Sequence, residues 1–213
     1  MAVPGSLITF EGPEGGGKST QLDRLRRYLA AHGAEPLCLR EPGATMVSER
    51  IRSLLLDEDL GELEGRAEAL LFCAARAQLV AQVVVPALAA GRVVLCDRYA
   101  DSTLAYQGYG RGLPLAELAA VNGFATAGLR PLLTICLDVP VEVGLQRKHD
   151  DGETNRMEGD TIAFHQRVRH GFLALAAADP ERWRVVDATQ PPSVVEAAIR
   201  GHVEAIMGGR GQR

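Results

Sequence analysis

Gly12-Pro13-Glu14-Gly15-Gly16-Gly17-Lys18-Ser19 sets the architecture of this chain. It matches G-x-x-x-x-G-K-[ST], and its setting matters as much as its letters. Before it runs a short apolar segment, Ser6 to Glu11, that reads as a buried strand. After it, Ser19 to Ala31 places Leu22, Leu25 and Leu29 on one helical face with arginines opposite. Strand, glycine loop and helix together form a phosphate cradle. Glycines let backbone N–H groups converge on phosphate oxygens, and the helix N-terminus adds positive potential. In such a cradle Lys18 reaches the outer phosphates of a nucleoside triphosphate, and the Ser19 hydroxyl ligates Mg²⁺. Nucleotide binding follows as the first expectation.

Working outward, strands and helices alternate. Pro36 to Arg40, Arg92 to Asp97, Pro131 to Asp138 and Arg184 to Asp187 read as further strands. Helical periodicity covers Met46 to Leu56, Glu64 to Ala90, the stretch opened by Pro114 and stopping near Gly128, a helix from about Val141, Thr161 to Ala178 and Ser193 to Met207. Pro86 is expected to kink or end the long second helix, and the glycines at 108, 110 and 112 to mark a loop. The tail from Gly208 is expected to fray. Five continuous apolar strands separated by helices predict one α/β domain: a five-stranded parallel sheet with helices on both faces, and a short lid at about 147–160. Ligands on such sheets bind at the carboxyl ends of the strands.

Composition narrows the partners. The formal net charge of −4 argues against a protein held to nucleic acid by charge. The longest apolar run free of charge, Ala77 to Gly91, contains Gln78, Gln82 and Pro86 and falls short of a membrane span. Cys38, Cys73, Cys96 and Cys136 form no C-x-x-C pair and read as free thiols, and the five histidines lack zinc-site spacing. Met1 to Ser6 carries no export signal, so a cytoplasmic location is expected. Of 23 basic residues only Lys18 and Lys148 are lysines, and Lys18 falls where the cradle requires one.

Three classes of nucleotide-binding protein compete. A GTPase calls for an N-K-x-D base-reading motif, and the sequence has none. An ATP-driven switch calls for an apolar strand ending in an acid, which Arg92 to Asp97 supplies. A kinase for a small phosphorylated acceptor calls for arginines at the strand ends, where Arg98 and others stand.

The pieces F-E-G-P-E-G-G-G-K-S-T from Phe10, R-E-P-G-A-T from Arg40, L-F-C-A-A-R from Leu71, D-R-Y-A-D-S-T-L-A-Y-Q-G from Asp97, N-R-M-E from Asn155 and D-A-T-Q-P from Asp187 span nearly the whole chain. Together they resemble the bacterial thymidylate kinases, P-loop enzymes that phosphorylate dTMP with ATP. The resemblance implies ATP as donor, Mg²⁺ as metal and a homodimer, for which the long helix from Glu64 offers a face. It implies that Gly12, Pro13, Glu14, Gly15, Gly16, Gly17, Lys18, Ser19 and Thr20 hold the ATP phosphates. Thr189 and Gln190 then lie against adenine, Arg147 stacks on its face, and Asp97 joins Ser19 at the metal through water. On the acceptor side it implies Glu41, Pro42, Arg52, Phe72, Arg76, Arg98, Ser102, Thr103, Tyr106 and Gln107 around dTMP. Arg98 clamps the phosphate, Arg52 is a further phosphate arginine, Phe72 stacks on thymine, Thr103 and Gln107 read the base, and Tyr106 excludes a 2′-hydroxyl. Lys18, Arg98, Glu14 and the lid residue Arg156 form the implied catalytic set.

Two departures from the family pattern stand out. Ala75 replaces the usual Asp before Arg76 and is expected to weaken an orienting salt bridge. Ala44 replaces the usual Gly after Gly43 and is expected to stiffen that loop.

Overall fold

A computed structural model describes residues 5–150 and 161–210. The expected lid lies mostly outside them: residues 147–150 end a helix, and Arg156 is not described. Five strands form one all-parallel sheet, β1 (Ser6–Glu11), β2 (Leu37–Arg40), β3 (Val93–Asp97), β4 (Leu133–Asp138) and β5 (Trp183–Asp187), in the order β2-β3-β1-β4-β5. β1 is central and buried at every position, as its unbroken apolar run requires of a strand covered on both faces. Phe10 pairs with Asp97 in the register of β1 and β3, so the cradle and the Asp97-Arg98 step leave the sheet side by side.

One face is covered by α1 (Lys18–Ala31) and α9 (Pro192–Arg210), whose Leu22, Leu25, Leu29, Val195 and Ile199 pack on Ile8, Phe10 and Ile135. The opposite face is covered by α3 (Gly65–Leu79) and its continuation, with Leu79, Val80 and Val84 against Leu7 and Val94. α2 (Met46–Leu56) is capped by Thr45, whose hydroxyl accepts from Ser48 N at 3.1 Å. Further helices named below are α6 (Leu115–Ala125), α7 (Val141–Asp150) and α8 (Ile162–Ala178). α9 runs on to Arg210, so the helix extends past the expected stop at Met207 and into the stretch expected to fray.

Two local expectations are corrected in part. Pro86 does not end the long helix. A π-helical turn, Val80–Val84, widens the backbone just before it, and α4 (Val85–Ala89) continues. The wider turn takes up the clash between the proline ring and the carbonyl four residues back. The helical segment Gly65–Ala89 has the length and mean hydropathy, 1.6, of a membrane span. Here it covers β2 and β3 and carries the buried charges Glu68 and Arg76. Of the glycines after β3, those at 108 and 110 lie in a helical segment rather than a loop, whereas Gly112, at φ 82°, lies in the loop before α6. α5 (Ala100–Thr103) passes into a second π-helical turn, Leu104–Gly110. Gly110 serves packing there: a Cβ would stand 2.6 Å from the Phe164 ring on α8.

Candidate active site

The cradle begins where β1 ends. Gly12 and Gly15 have φ of 130° and 66°, and a Cβ at either would run into a backbone carbonyl, of Leu137 or of Gly144. No other residue type closes this turn against β4 and α7. Lys18 is buried and folds back, its Nζ donating to Pro13 O at 2.8 Å and Gly12 O at 3.2 Å. Burial and the nearby Arg98 lower its pKa to about 8, while Glu14, Asp97 and Glu11 oppose that shift. Ser19 Oγ donates to Asp97 Oδ2 at 2.6 Å, which joins the two residues expected at the metal.

Arg98 follows β3 in a left-handed conformation, φ 67°, that is uncommon for a residue with a Cβ and recurs at functional sites. Its guanidinium donates to Gly12 O (3.1 Å), Ser102 Oγ (3.3 Å), Glu14 Oε1 (2.8 Å) and Tyr106 OH (2.8 Å). Tyr106 OH in turn donates to Glu14 Oε1 at 2.7 Å. An acid inside a phosphate loop is unfavourable unless a cation faces it, and Glu14 faces one. Burial pushes its carboxyl up, but Arg98, Lys18 and Tyr106 outweigh that and bring it down to about 2.

Arg76 is the largest fully buried side chain. It donates to Glu41 Oε2 (2.7 Å), Asn122 Oδ1 (2.7 Å), Thr103 Oγ1 (3.1 Å) and Tyr99 O (3.1 Å). The loss of an Asp at position 75 therefore does not cost Arg76 its ion pair, because Glu41 supplies the carboxylate from the loop after β2. Burial raises Glu41 to about 7 against the pull of Arg76, and its buried Oε1 meets no hydrogen-bond partner among the described residues. Ala44 sits at φ 66°, a conformation that favours glycine, with its N–H donating to Glu49 Oε1 at 2.8 Å.

These groups line one cavity of 890 Å³. Its wall includes residues 14–21 at the cradle end; Arg52, Phe72, Arg76, Arg98, Ser102, Thr103, Tyr106 and Gln107 at the other; and Arg147, Ala188 and Gln190 at the far side of the cradle. Glu41 and Pro42 line it as well, and Arg52 Nη1 donates to Pro42 O at 3.1 Å. Gly12 and Pro13 turn their carbonyls to Lys18 and Arg98. Arg147 Nη1 bridges Ala188 O (3.0 Å) and Gly15 O (3.3 Å), tying the loop after β5 to the cradle. Thr189 turns its hydroxyl onto Asp187, while Gln190 both bonds Asp187 and lines the cavity.

Some participants escaped the sequence reading. Glu11, raised to about 8 by burial and by Asp101, accepts from Ser102 Oγ at 2.6 Å and Tyr99 N at 2.8 Å, and so braces the wall behind Arg98. Its signal was an acid at the end of an otherwise apolar strand. Glu68 lies one helical turn before Phe72 and holds Gln107. Asn122, far along the chain on α6, had no local signal.

A phosphate cradle at one end of a cavity and a ring of arginines at the other define a phosphotransferase that works between two phosphorylated molecules. The family model described as thymidylate kinase matches residues 10–199. The chain is 51% identical over 216 residues to the thymidylate kinase of Desulfovibrio desulfuricans, covering 97% of this chain and 98% of that one. It is 50% identical over 204 residues to that of Deinococcus radiodurans, covering 93% and 98%. Its fold matches the crystal structure of thymidylate kinase from Ehrlichia chaffeensis with a TM-score of 0.76 at 30% identity, over 93% of this chain and 98% of the other. The chain belongs to the thymidylate kinase family. It is an enzyme, and the reaction is phosphoryl transfer to dTMP.

Proposed function

We propose that the donor is ATP with Mg²⁺, and that the two nucleotides meet head to head between Lys18 and Arg98. The observation that carries this reading is the single cavity holding the cradle at one end and Arg98, Arg76 and Phe72 at the other. The donor set fits Mg²⁺. Ser19 and Asp97 stand together, and no cluster of three His, Cys, Asp or Glu occurs among the described residues. That suits a hard ion that keeps waters and takes phosphate oxygens. When bound there it would neutralise charge on the donor phosphates.

dTMP is largely a dianion at neutral pH, so its phosphate oxygen attacks without a general base. The oxygen forms a bond to the γ-phosphorus as the bond to the β-phosphate oxygen breaks, giving dTDP and ADP. The protein's task is to bring two polyanions into line and neutralise them. Arg98 grips the acceptor phosphate, with Arg52 as a second contact, and Glu14 with Tyr106 holds Arg98 in place. Phe72 packs on thymine, Thr103 and Gln107 read its edge, and Tyr106 lies against the sugar. Gln190 and Arg147 border adenine. The lid arginine Arg156 supplies the transition-state cation, since no residue between Gly12 and Lys18 is basic.

We also propose a cytoplasmic homodimer that binds neither nucleic acid nor membrane. Leu70 on α3 and Phe124 on α6 are 56% and 89% exposed, apolar surface that a second copy would cover. ADP release across a panel of monophosphates, with and without Mg²⁺, tests the chemistry. dTMP should give the highest kcat/KM, with dUMP next, since one methyl is worth roughly 1–3 kcal/mol. AMP or CMP as the best acceptor, or full activity without divalent metal, overturns it. Sedimentation tests the dimer.

A further inference from the structure

We propose that Glu68 is a positioning residue that makes Gln107 read the acceptor base in one direction only. The proposal rests on Gln107 facing the base. Gln107 is 1% exposed and lines the cavity, and its Nε2 donates to Glu68 Oε1 at 2.8 Å. Glu68 is fully buried and also accepts from Arg111 Nε at 3.3 Å and Nη2 at 3.4 Å. Among the described residues no protein donor meets Gln107 Oε1.

A carboxamide edge carries an acceptor beside a donor. Turned one way it matches the N3–H and O4 of thymine; turned over it matches the N3 and N4-amino group of cytosine. A free glutamine adopts either. A carboxylate only accepts, so beside Glu68 the amide must present its NH₂, and turning over would set Oε1 against a carboxylate oxygen. Glu68 thus excludes the cytosine-matching orientation without touching the base.

Glu68→Gln removes the constraint, because Gln has one carbonyl oxygen, for which Arg111 competes, and an NH₂ that welcomes Gln107 Oε1. The experiment measures kcat/KM for dTMP and dCMP at saturating ATP in wild type, Glu68→Gln, Glu68→Asp and Gln107→Ala. Glu68→Gln should lower the dTMP/dCMP ratio by about tenfold or more, through a raised KM for dTMP with kcat within about threefold and an unchanged KM for ATP. Glu68→Asp, which keeps an acceptor-only group, should hold the ratio within about threefold of wild type. If Gln107→Ala collapses the ratio and Glu68→Gln does not, Glu68 has no such role. If Gln107→Ala leaves the ratio unchanged, the base-reading assignment of Gln107 fails and takes the proposal with it. A further measurement needs no Glu68 variant: in the ligand-free wild type the Gln107 side-chain NH₂ protons, assigned by their loss in Gln107→Ala, should exchange with water about tenfold or more slowly than those of a free glutamine. Exchange at the free rate overturns the proposal.

Discussion

Glu14 Oε1 receives both the guanidinium of Arg98, at 2.8 Å, and the hydroxyl of Tyr106, at 2.7 Å. One carboxylate oxygen thereby fixes both the cation proposed to grip the acceptor phosphate and the ring proposed to lie against its sugar. The arrangement has a consequence for stability. The Glu14 carboxyl titrates at about 2 in the folded protein against an ordinary 4.5. The unfolded chain therefore binds the proton more readily. The pair's contribution is complete above 4.5 and is lost as the pH falls toward 2. Glu14→Gln should lose stability relative to wild type at pH 7, and that gap should close between pH 4.5 and 2. Urea unfolding at pH 7, 4 and 3 measures it, and a constant gap would show that the ionised pair is not its source.

Lys18 titrates at about 8 in the free protein. If it serves as a cation, as proposed, kcat/KM for ATP should fall as the pH rises through 8. kcat should hold to higher pH, because bound phosphates favour the ammonium; the first profile reports free enzyme and the second the complex. Lys18→Met should cut kcat by more than about tenfold with the fold intact by circular dichroism.

Arg147 and Arg156 are expected to act differently. Arg147 ties Gly15 O to Ala188 O, so Arg147→Ala should chiefly raise KM for ATP. Arg156→Ala, removing the contact proposed for the transition state, should lower kcat and kcat/KM together by roughly 10²–10⁴. Steady-state kinetics separates them, and an Arg156→Ala enzyme within about threefold of wild-type kcat would remove Arg156 from the mechanism.

Two glycines give opposite expectations for stability. At Gly110 a Cβ meets Phe164 at 2.6 Å and Val168 at 2.9 Å, so Gly110→Ala should destabilise by about 1–3 kcal/mol. At Gly123, inside α6, a Cβ meets nothing within 4 Å, so Gly123→Ala should stabilise by about 0.5–1 kcal/mol. Thermal unfolding of both variants checks the packing of the π-helical turn on α8.

The parallel sheet, the cradle and the nucleotide reading were legible in the linear chain because their causes are local. An apolar run of strand length, glycines at fixed spacing and a lysine at the first helical position specify strand, turn and helix in one short stretch. Ser19 beside Asp97 was legible for the same reason, since Ser19 opens the helix that follows β1, Asp97 ends β3, and a parallel sheet aligns the ends of those two strands. What a side chain pairs with across the fold was not. Nothing near Arg76 in sequence announces Glu41 or Asn122, and nothing near Gln107 announces Glu68; these partners lie 35, 46 and 39 residues away. The π-helical turns at Val80–Val84 and Leu104–Gly110 were hidden too. Proline and glycine ordinarily punctuate the chain, and only the space left by β3 and α8 decides that here the helix continues through them. Local periodicity and turn chemistry act over a few residues and so determine the elements from sequence alone. Burial of charge is settled only where elements meet, because an ion pair forms wherever the tertiary structure brings a carboxylate to an arginine cut off from water.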